Sequence, residues 1–202
     1  MTKGEQTRRA IVEKAAPLFN QKGFEGTSLA DLMQATGLQK GGIYRHFSGK
    51  KELAAEAFDY AWEKAVQERQ EGVAEVPDCV DRLKKAIDNF VERRAGLVPG
   101  GCPLMNTAVE ADDGNPMLRA RVKKALQGWI ERLSGIAAEG IEKGEIEHHI
   151  APQQLSRLII GSLEGALLIS RLQNDQEPLR SMRQHLDEYL ERNVRARHQP
   201  KA

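Results

Sequence analysis

An all-α fold is expected for this chain, and three observations predict it. Apolar residues recur at three- and four-residue spacing through most of its 202 positions, and no segment shows the strict alternation of a half-buried strand. Helix starts and stops are also written out, as in Asn115-Pro116, an N-cap followed by proline at the first helical position, where its missing N–H costs nothing. With 40% hydrophobic and 29% charged residues, the chain has the composition of a folded protein large enough to bury a substantial core.

The first helix is expected over Gly4 to Gln21, with Ile11, Val12, Ala15, Leu18 and Phe19 as its buried stripe and Gly23 at its end. Arg8 and Arg9 fall on its polar side, as open to plain solvation as to phosphate contact. Ser28 followed by Asp31 is a capping-box-like start for a short second helix, which Leu29, Leu32 and Met33 bury and Gly37 ends in a sharp turn. A third short helix, Gln39 to about His46, is anchored by Leu38, Ile43 and Phe47 and turns Gln39, Lys40, Tyr44, Arg45 and His46 outward. Two short helices around a glycine turn make a helix-turn-helix, whose second helix enters a major groove. Gly41 and Gly42 each cost that helix roughly 1 kcal/mol relative to alanine. Their value is read as the removal of side chains where backbone must come close to nucleic acid.

Ser48 then caps a long fourth helix that opens with Gly49, Lys50 and Lys51 and runs to about Gln70, with Leu53, Ala57 and Ala61 beside Phe58, Trp62 and Ala65. Lysines in a first turn oppose the helix dipole unless a phosphate lies nearby. After a loop over Gly72 to Pro77, Asp78 starts a fifth helix bearing Val80, Leu83, Ile87, Phe90 and Val91. Pro99, Gly100 and Gly101 break the chain before a short sixth helix from Cys102 to about Asp112. The seventh follows Asn115-Pro116 to about Lys143 and carries Leu118, Val122, Leu126, Trp129, Leu133, Ile136 and Ile141. Pro152 starts the eighth, where Gly161, Ser162, Gly165 and Ala166 are small enough to admit another helix. The ninth carries Leu179, Met182, Leu186 and Leu190, and a polar tail runs from Arg195 to Ala202.

Charge is unevenly distributed along this order. Residues 1–51 hold nine Lys/Arg against four acids, an excess of +5, while the remainder sums to −4 within a net +1. A basic head on an acidic body suits a polyanion at the head alone. Cys79 and Cys102 form no metal-ligand spacing, and a reducing cytoplasm is the simpler setting. The first ten residues lack the apolar core of a signal peptide and the most apolar run, Leu158 to Ile169, contains Glu164, so a membrane partner is not expected.

An enzyme is the rival class. Glu145 and His148 make one Glu-x-x-His, but a di-metal helical site needs a second pair and two further glutamates. No Walker loop, G-x-S-x-G or zincin pattern is present, so no catalytic residue, metal or cofactor is assigned. Two further alternatives are a protein adaptor built on a degenerate DNA-binding head, and a redox sensor acting through Cys102, which lacks the basic neighbours that stabilise a thiolate.

The string GTSLADLMQATGLQKGGIYRHFSGKKEL between a first helix and six later ones resembles the tetracycline-repressor (TetR) family of transcriptional regulators, closely over residues 23–53 and by helix count beyond. The resemblance implies a nine-helix fold: a three-helix DNA-binding domain over residues 1–48, and a helical ligand-binding and dimerisation domain over 49–202. It implies phosphate contacts from Thr27, Tyr44 and Lys51, with Ser28 beside them, and base or backbone contacts from Gln39, Lys40, Gly41, Gly42, Arg45 and His46. Gln39 stands where the family often has a capping serine, and Met33 replaces a usual alanine. Also implied are a homodimer through helices eight and nine, a palindromic double-stranded DNA operator, and release by an apolar or aromatic small molecule held among helices four to eight. Candidates for that pocket are Phe58, Trp62, Phe90, Cys102, Met105, Met117, Trp129, Leu133, Leu168 and Arg171. For each apolar one, ordinary core packing is the simpler reading. The segment Gly101 to Asn106, with Glu110 following, resembles a subgroup that regulates drug or quinone responses.

Overall fold

The computed structural model describes residues 2–92 and 98–197, the side chains of 112–114 excepted, so residues 198–202 of the polar tail lie outside the described residues. Among the described residues nine α-helices follow one another: α1 Lys3–Gly26, α2 Leu29–Thr36, α3 Lys40–Tyr44, α4 Lys50–Gln70, α5 Cys79–Glu92, α6 Pro103–Gly114, α7 Pro116–Glu142, α8 Pro152–Gln173 and α9 Glu177–Tyr189. A π-helical turn, Leu190–Val194, extends α9, and the β pairing described is one isolated bridge between Ile146 and Arg195. No described helix is long and apolar enough to cross a membrane.

Packing divides the chain into two compact units, residues 1–67 with 95–126 and residues 68–94 with 127–202. This division differs from a cut after Ser48, because most of α4 and all of α6 pack with the N-terminal helices.

In the first unit, Ile11, Val12, Ala15, Leu32, Ile43, Phe47 and Leu53 form the core, ringed by Leu18, Phe19, Leu29, Met33 and Leu38. These are the apolar positions that the 3.6-residue period places on one face of each short helix. Thr2 and Glu5 form a capping box that starts α1. The helix does not simply stop at Gly23. It kinks there, at φ 76° and ψ 176°, and resumes for a further turn to Gly26. The cause is a residue from far along the chain: the Glu110 carboxylate of α6 accepts the backbone N–H groups of Phe24 and Glu25, the orphan donors of the restarted turn. A Cβ on Gly23 would lie 2.8 Å from Glu110 Oε2, so the position needs glycine for its dihedrals and for this close approach. An amide seam continues the contact. Asn106 Nδ2 donates to the Asn20 and Gly100 carbonyls at 2.9 and 2.8 Å, and Asn20 Nδ2 donates to the Pro99 and Gly101 carbonyls at 3.0 and 3.1 Å.

The second unit is built on α5, α8 and α9. Val80, Leu83 and Ile87 of α5 are fully buried, as are Leu163 of α8 and Leu179, Leu186 and Leu190 of α9 and its extension to within 2%. Buried Asn89 closes the end of α4 by donating to the Arg69 and Glu71 carbonyls at 3.2 and 2.8 Å. Arg195 ties the C-terminal turn to the start of α5, bonding Asp78 at 2.9 Å and Asp81 at 2.5 Å. The Glu145 carboxylate accepts the Cys79 N–H at 2.8 Å and so serves as a cap for α5. Burial, then Glu145 itself, pushes the Cys79 thiol up to about 11, which keeps it protonated at neutral pH.

Candidate functional site

The reading head is held by caps at almost every joint. Ser28 and Asp31 form the full capping box expected of them: Asp31 N–H donates to Ser28 Oγ at 3.1 Å and Ser28 N–H donates to Asp31 Oδ2 at 2.8 Å. Lys22 bonds the same carboxylate at 2.6 Å; that ion pair first, then Ser28, holds Asp31 well below the usual carboxylate range. Gly37 caps α2 at φ 74°. Gln39 begins α3 without a side-chain cap, the physical counterpart of its departure from serine. Helical hydrogen bonding covers Lys40–Tyr44, shorter than the sequence implies, and the Arg45 and His46 N–H groups close the end on the Gly41 and Ile43 carbonyls.

Arg8 resolves as a strut. Its guanidinium donates to the His46 carbonyl, to Glu56 and, at 2.6 Å, to Glu52, and packs 4.3 Å from the centre of the Phe47 ring. It thereby joins α1 to the end of α3 and to the first turns of α4. Ser48 donates through both N–H and Oγ to Glu52, at 2.6 and 2.7 Å, and these bonds, then Arg8, hold Glu52 down to about 2.

The remaining cations of the head sort by partner. Arg9 pairs with Glu13, Lys22 with Asp31, Lys14 Nζ reaches the Thr36 carbonyl at 3.3 Å, and Lys50 lies over the Phe24 ring at 4.5 Å. Among the described residues Lys40, Arg45 and Lys51 join no ion pair; all three are exposed, as is Lys3 at the start of α1. Gln39, Gly41 and Ser28 are exposed with them, and Tyr44, His46 and Gly42 are partly exposed. The two glycines separate in role. A Cβ on Gly41 would meet nothing within 4 Å, whereas one on Gly42 would touch Leu38 Cβ at 3.4 Å, so Gly41 keeps the outer surface bare and Gly42 faces the core.

Thr27 is a correction. It is fully buried, and its hydroxyl donates to the Gly23 carbonyl at 2.6 Å, so it secures the kinked end of α1 and offers no side chain to phosphate.

The ten pocket candidates divide equally between the two units. Phe58, Trp62, Cys102, Met105 and Met117 belong to the first; Phe90, Trp129, Leu133, Leu168 and Arg171 to the second. Phe58 lines a cleft with Ala16, Ala54, Ala57 and Leu118 that has a free volume of about 20 Å³, room for about one water. Cys102 is buried just before α6, and Met117 is 46% exposed. Leu168 and Arg171 are exposed on α8, on a surface away from the unit's core, which corrects their assignment as pocket lining. Phe90 and Trp129 do come together, their rings near parallel with centroids 5.8 Å apart, and Leu133 is buried one turn further along α7.

Sequence reasoning missed the charges around that aromatic pair. The Arg69 guanidinium lies 4.7 Å from the Phe90 centroid and 4.2 Å from that of Trp129, and Arg69 Nη2 is 4.0 Å from Glu164 Oε1, whose side chain is 3% exposed. Glu164 was legible only as a charge interrupting the most apolar run of the chain. His148 and His149 stand edge to face at 6.1 Å on the surface, and among the described residues no group of three or more His, Cys, Asp or Glu is arranged to hold a metal.

A capped helix-turn-helix head with an exposed, cationic third helix, followed by a second helical unit, is the arrangement of a DNA-binding transcriptional regulator. Two family models match the chain: the bacterial regulatory proteins of the tetR family over residues 11–57, and the tetracyclin repressor-like C-terminal domain over residues 79–186. The chain therefore belongs to the tetracycline-repressor family. A TetR transcriptional regulator from Chloroflexus aurantiacus is similar at 42% identity and TM-score 0.93, over 98% of this chain and 100% of that one. A second, from Cytophaga hutchinsonii, is 32% identical at TM-score 0.91, covering 98% of each chain. The HTH-type transcriptional repressor DhaR of Mycobacterium sp. is 26% identical over 175 residues, 85% of this chain and 86% of that repressor.

Proposed function

We propose that this protein is an effector-released repressor that grips a palindromic operator as a homodimer, with α3 as its reading helix. One observation carries this reading: five of the head's cations, Arg8, Arg9, Lys14, Lys22 and Lys50, are engaged within the head, and apart from Lys3 at the start of α1 the ones left exposed and outside any described ion pair are Lys40, Arg45 and Lys51. Lys40 and Arg45 sit on the third helix of the head, where a helix-turn-helix reads base edges, and Lys51 sits in the first turn of α4, where a phosphate would offset its unfavourable dipole position. Tyr44, His46 and Gln39 flank them, and the bare surface at Gly41 permits close approach.

The dimer reading is supported by α8. Leu158, Leu168, Ile169 and Leu172 are 44–79% exposed there, and Cβ atoms at Gly161 and Gly165 would meet nothing within 4 Å. An apolar, small-residue helix face of this kind suits a second copy of itself. Two-fold symmetry then places equivalent reading helices in half-sites about 34–36 Å apart, if these are one helical turn apart.

Release follows if an effector favours a state in which the two heads no longer match that spacing. The link within the first unit is the α6–α1 seam. A shift of α6 would carry Glu110 and Asn106, and with them the end of α1 from which Thr27 and Ser28 lead into α2.

The test is a binding isotherm on DNA flanking the protein's own gene, across a salt series. Lys51→Ala should reduce the salt slope by about one with similar loss on all sequences, whereas Arg45→Ala should cost about 1–3 kcal/mol and relax the preference at one base position. If Lys40→Ala and Arg45→Ala both bind that DNA as the parent does, α3 is not the reading helix.

A further inference from the structure

A second cationic surface lies on the head, along α1. Lys3, Thr7, Ala10 and Lys14 recur at four-, three- and four-residue spacing, which sets them on one stripe of the helix. That stripe and the turn between α2 and α3 border an open groove of about 380 Å³, with Lys3, Gln6, Ala10 and Lys14 on the α1 side and Thr36 and Leu38 on the other. Its charge has one sign: among the described residues no Asp or Glu lines it. On the same stretch of α1, Glu5 accepts the Thr2 N–H at 2.7 Å in the capping box and Glu13 pairs with Arg9 at 2.9 Å. Lys14 Nζ donates to the Thr36 carbonyl at 3.3 Å, which holds the ammonium against the turn without cancelling its charge. Lys3 is exposed and joins no described ion pair. Between the two lysines Ala10 is exposed and carries only a methyl group, so the groove stays open where a longer side chain would fill it.

By the rise of an α-helix, Lys3 and Lys14 stand about 16 Å apart along its axis. Phosphates of one strand recur about every 3.4 Å of duplex axis, so this span suits a short run of backbone better than a single small anion. The groove also continues into the reading surface. Leu38 is followed directly by Gln39 and Lys40, the exposed start of α3. We propose that this groove takes the phosphate backbone of duplex DNA beside the bases that α3 reads, with Lys3 as the principal contact, Gln6 as a neutral donor and Lys14 as a fixed charge beneath the strand. Contacts of this kind position the duplex and carry no base information, so they raise affinity for operator and for other DNA alike. This inference rests on the DNA-binding reading above and adds to it a backbone contact outside α3 and the start of α4.

Salt series on two duplexes test it, one of the DNA flanking the protein's own gene and one of equal length with its sequence shuffled. Lys3→Ala should lower the salt slope by about one per protomer on both, so that the parent's advantage shrinks about threefold per protomer between about 50 and 200 mM salt. Lys3→Arg should keep the parent's slope. Ala10→Glu sets a carboxylate between the lysines and should weaken binding to both duplexes at least about tenfold more than Ala10→Gln, which adds the same bulk without the charge. Positions 3 and 10 are exposed, so the melting temperatures should stay within about 2 °C of the parent's. If Ala10→Glu melts lower than that, Lys3→Ala decides alone. A parent-like slope for Lys3→Ala on both duplexes overturns the proposal, as does equal binding by Ala10→Glu and Ala10→Gln, or a Lys3→Ala loss confined to the flanking DNA. The shuffled duplex keeps this outcome separate from that of the reading helix. If Lys40→Ala and Arg45→Ala bind as the parent does while Lys3→Ala lowers the slope, the groove stands and α3 loses its role as reader.

Discussion

The reading head and the second unit solve the problem of internal charge in opposite ways. In the head nearly every polar contact is a cap or a strut at the rim of a small core: Ser28 with Asp31, Ser48 with Glu52, Arg8 with Glu52 and Glu56. These groups are partly exposed, and most lie within a few residues of their partners. The second unit instead buries a charge pair, Arg69 with Glu164, from helices nearly a hundred positions apart. A head that binds DNA benefits from local, redundant fastening. A buried pair is set by how α4 and α8 pack, and losing either partner is costly.

The sharpest break of that contrast is Glu164→Ala. Removing one partner of a buried pair leaves an uncompensated charge, and a loss of about 3–5 kcal/mol in urea unfolding is expected. Replacing Arg69 and Glu164 together with methionine should recover much of that loss, and a double-mutant cycle on the full chain measures the coupling. In the head the largest effect should come from Gly23→Ala. It forces a side chain into dihedrals that are essentially glycine-only and against Glu110, at a cost of about 2–3 kcal/mol, visible as accelerated hydrogen exchange confined to α1, α2 and α6.

Acid should loosen the head's caps next. Asp31 and Glu52 have folded pKa values below their unfolded ones, so their stabilisation is complete above about pH 4.5 and is lost as pH falls toward the folded value, about 2 for Glu52. In the second unit the shifts run both ways: ion pairs hold Glu139 and Glu191 low, Glu191 at about 2, whereas burial and the neighbouring Asp88 raise Asp187. Exchange rates in the head should rise as pH falls from about 4.5 toward 2, and Glu52→Gln should flatten that rise. An acid profile of Glu52→Gln identical to the parent's would remove that role from Glu52. The smallest effect on stability should be Gly41→Ala, neutral or stabilising by up to about 1 kcal/mol through helix propensity, yet weakening DNA binding by placing a methyl group on the bare outer surface. Equal operator affinity in that variant would remove the close-approach role of Gly41.

The amino-acid sequence by itself determined the all-α class, the order of the helices and the identity of the reading unit. The reason is that caps, glycine turns and 3.6-residue periodicity act between residues three or four positions apart, as Ser28 with Asp31 and Asn115 with Leu118 show. Only the tertiary structure decided what long-range contacts do. It turned Arg8 into a strut and buried Thr27, extended α1 past Gly23 through Glu110, and parted Gly41 from Gly42. It also divided the pocket candidates between two units and brought Arg69, with Glu164 beside it, onto Phe90 and Trp129. Such contacts join residues whose separation along the chain carries no periodic signal, so their pairing is settled only when the helices pack.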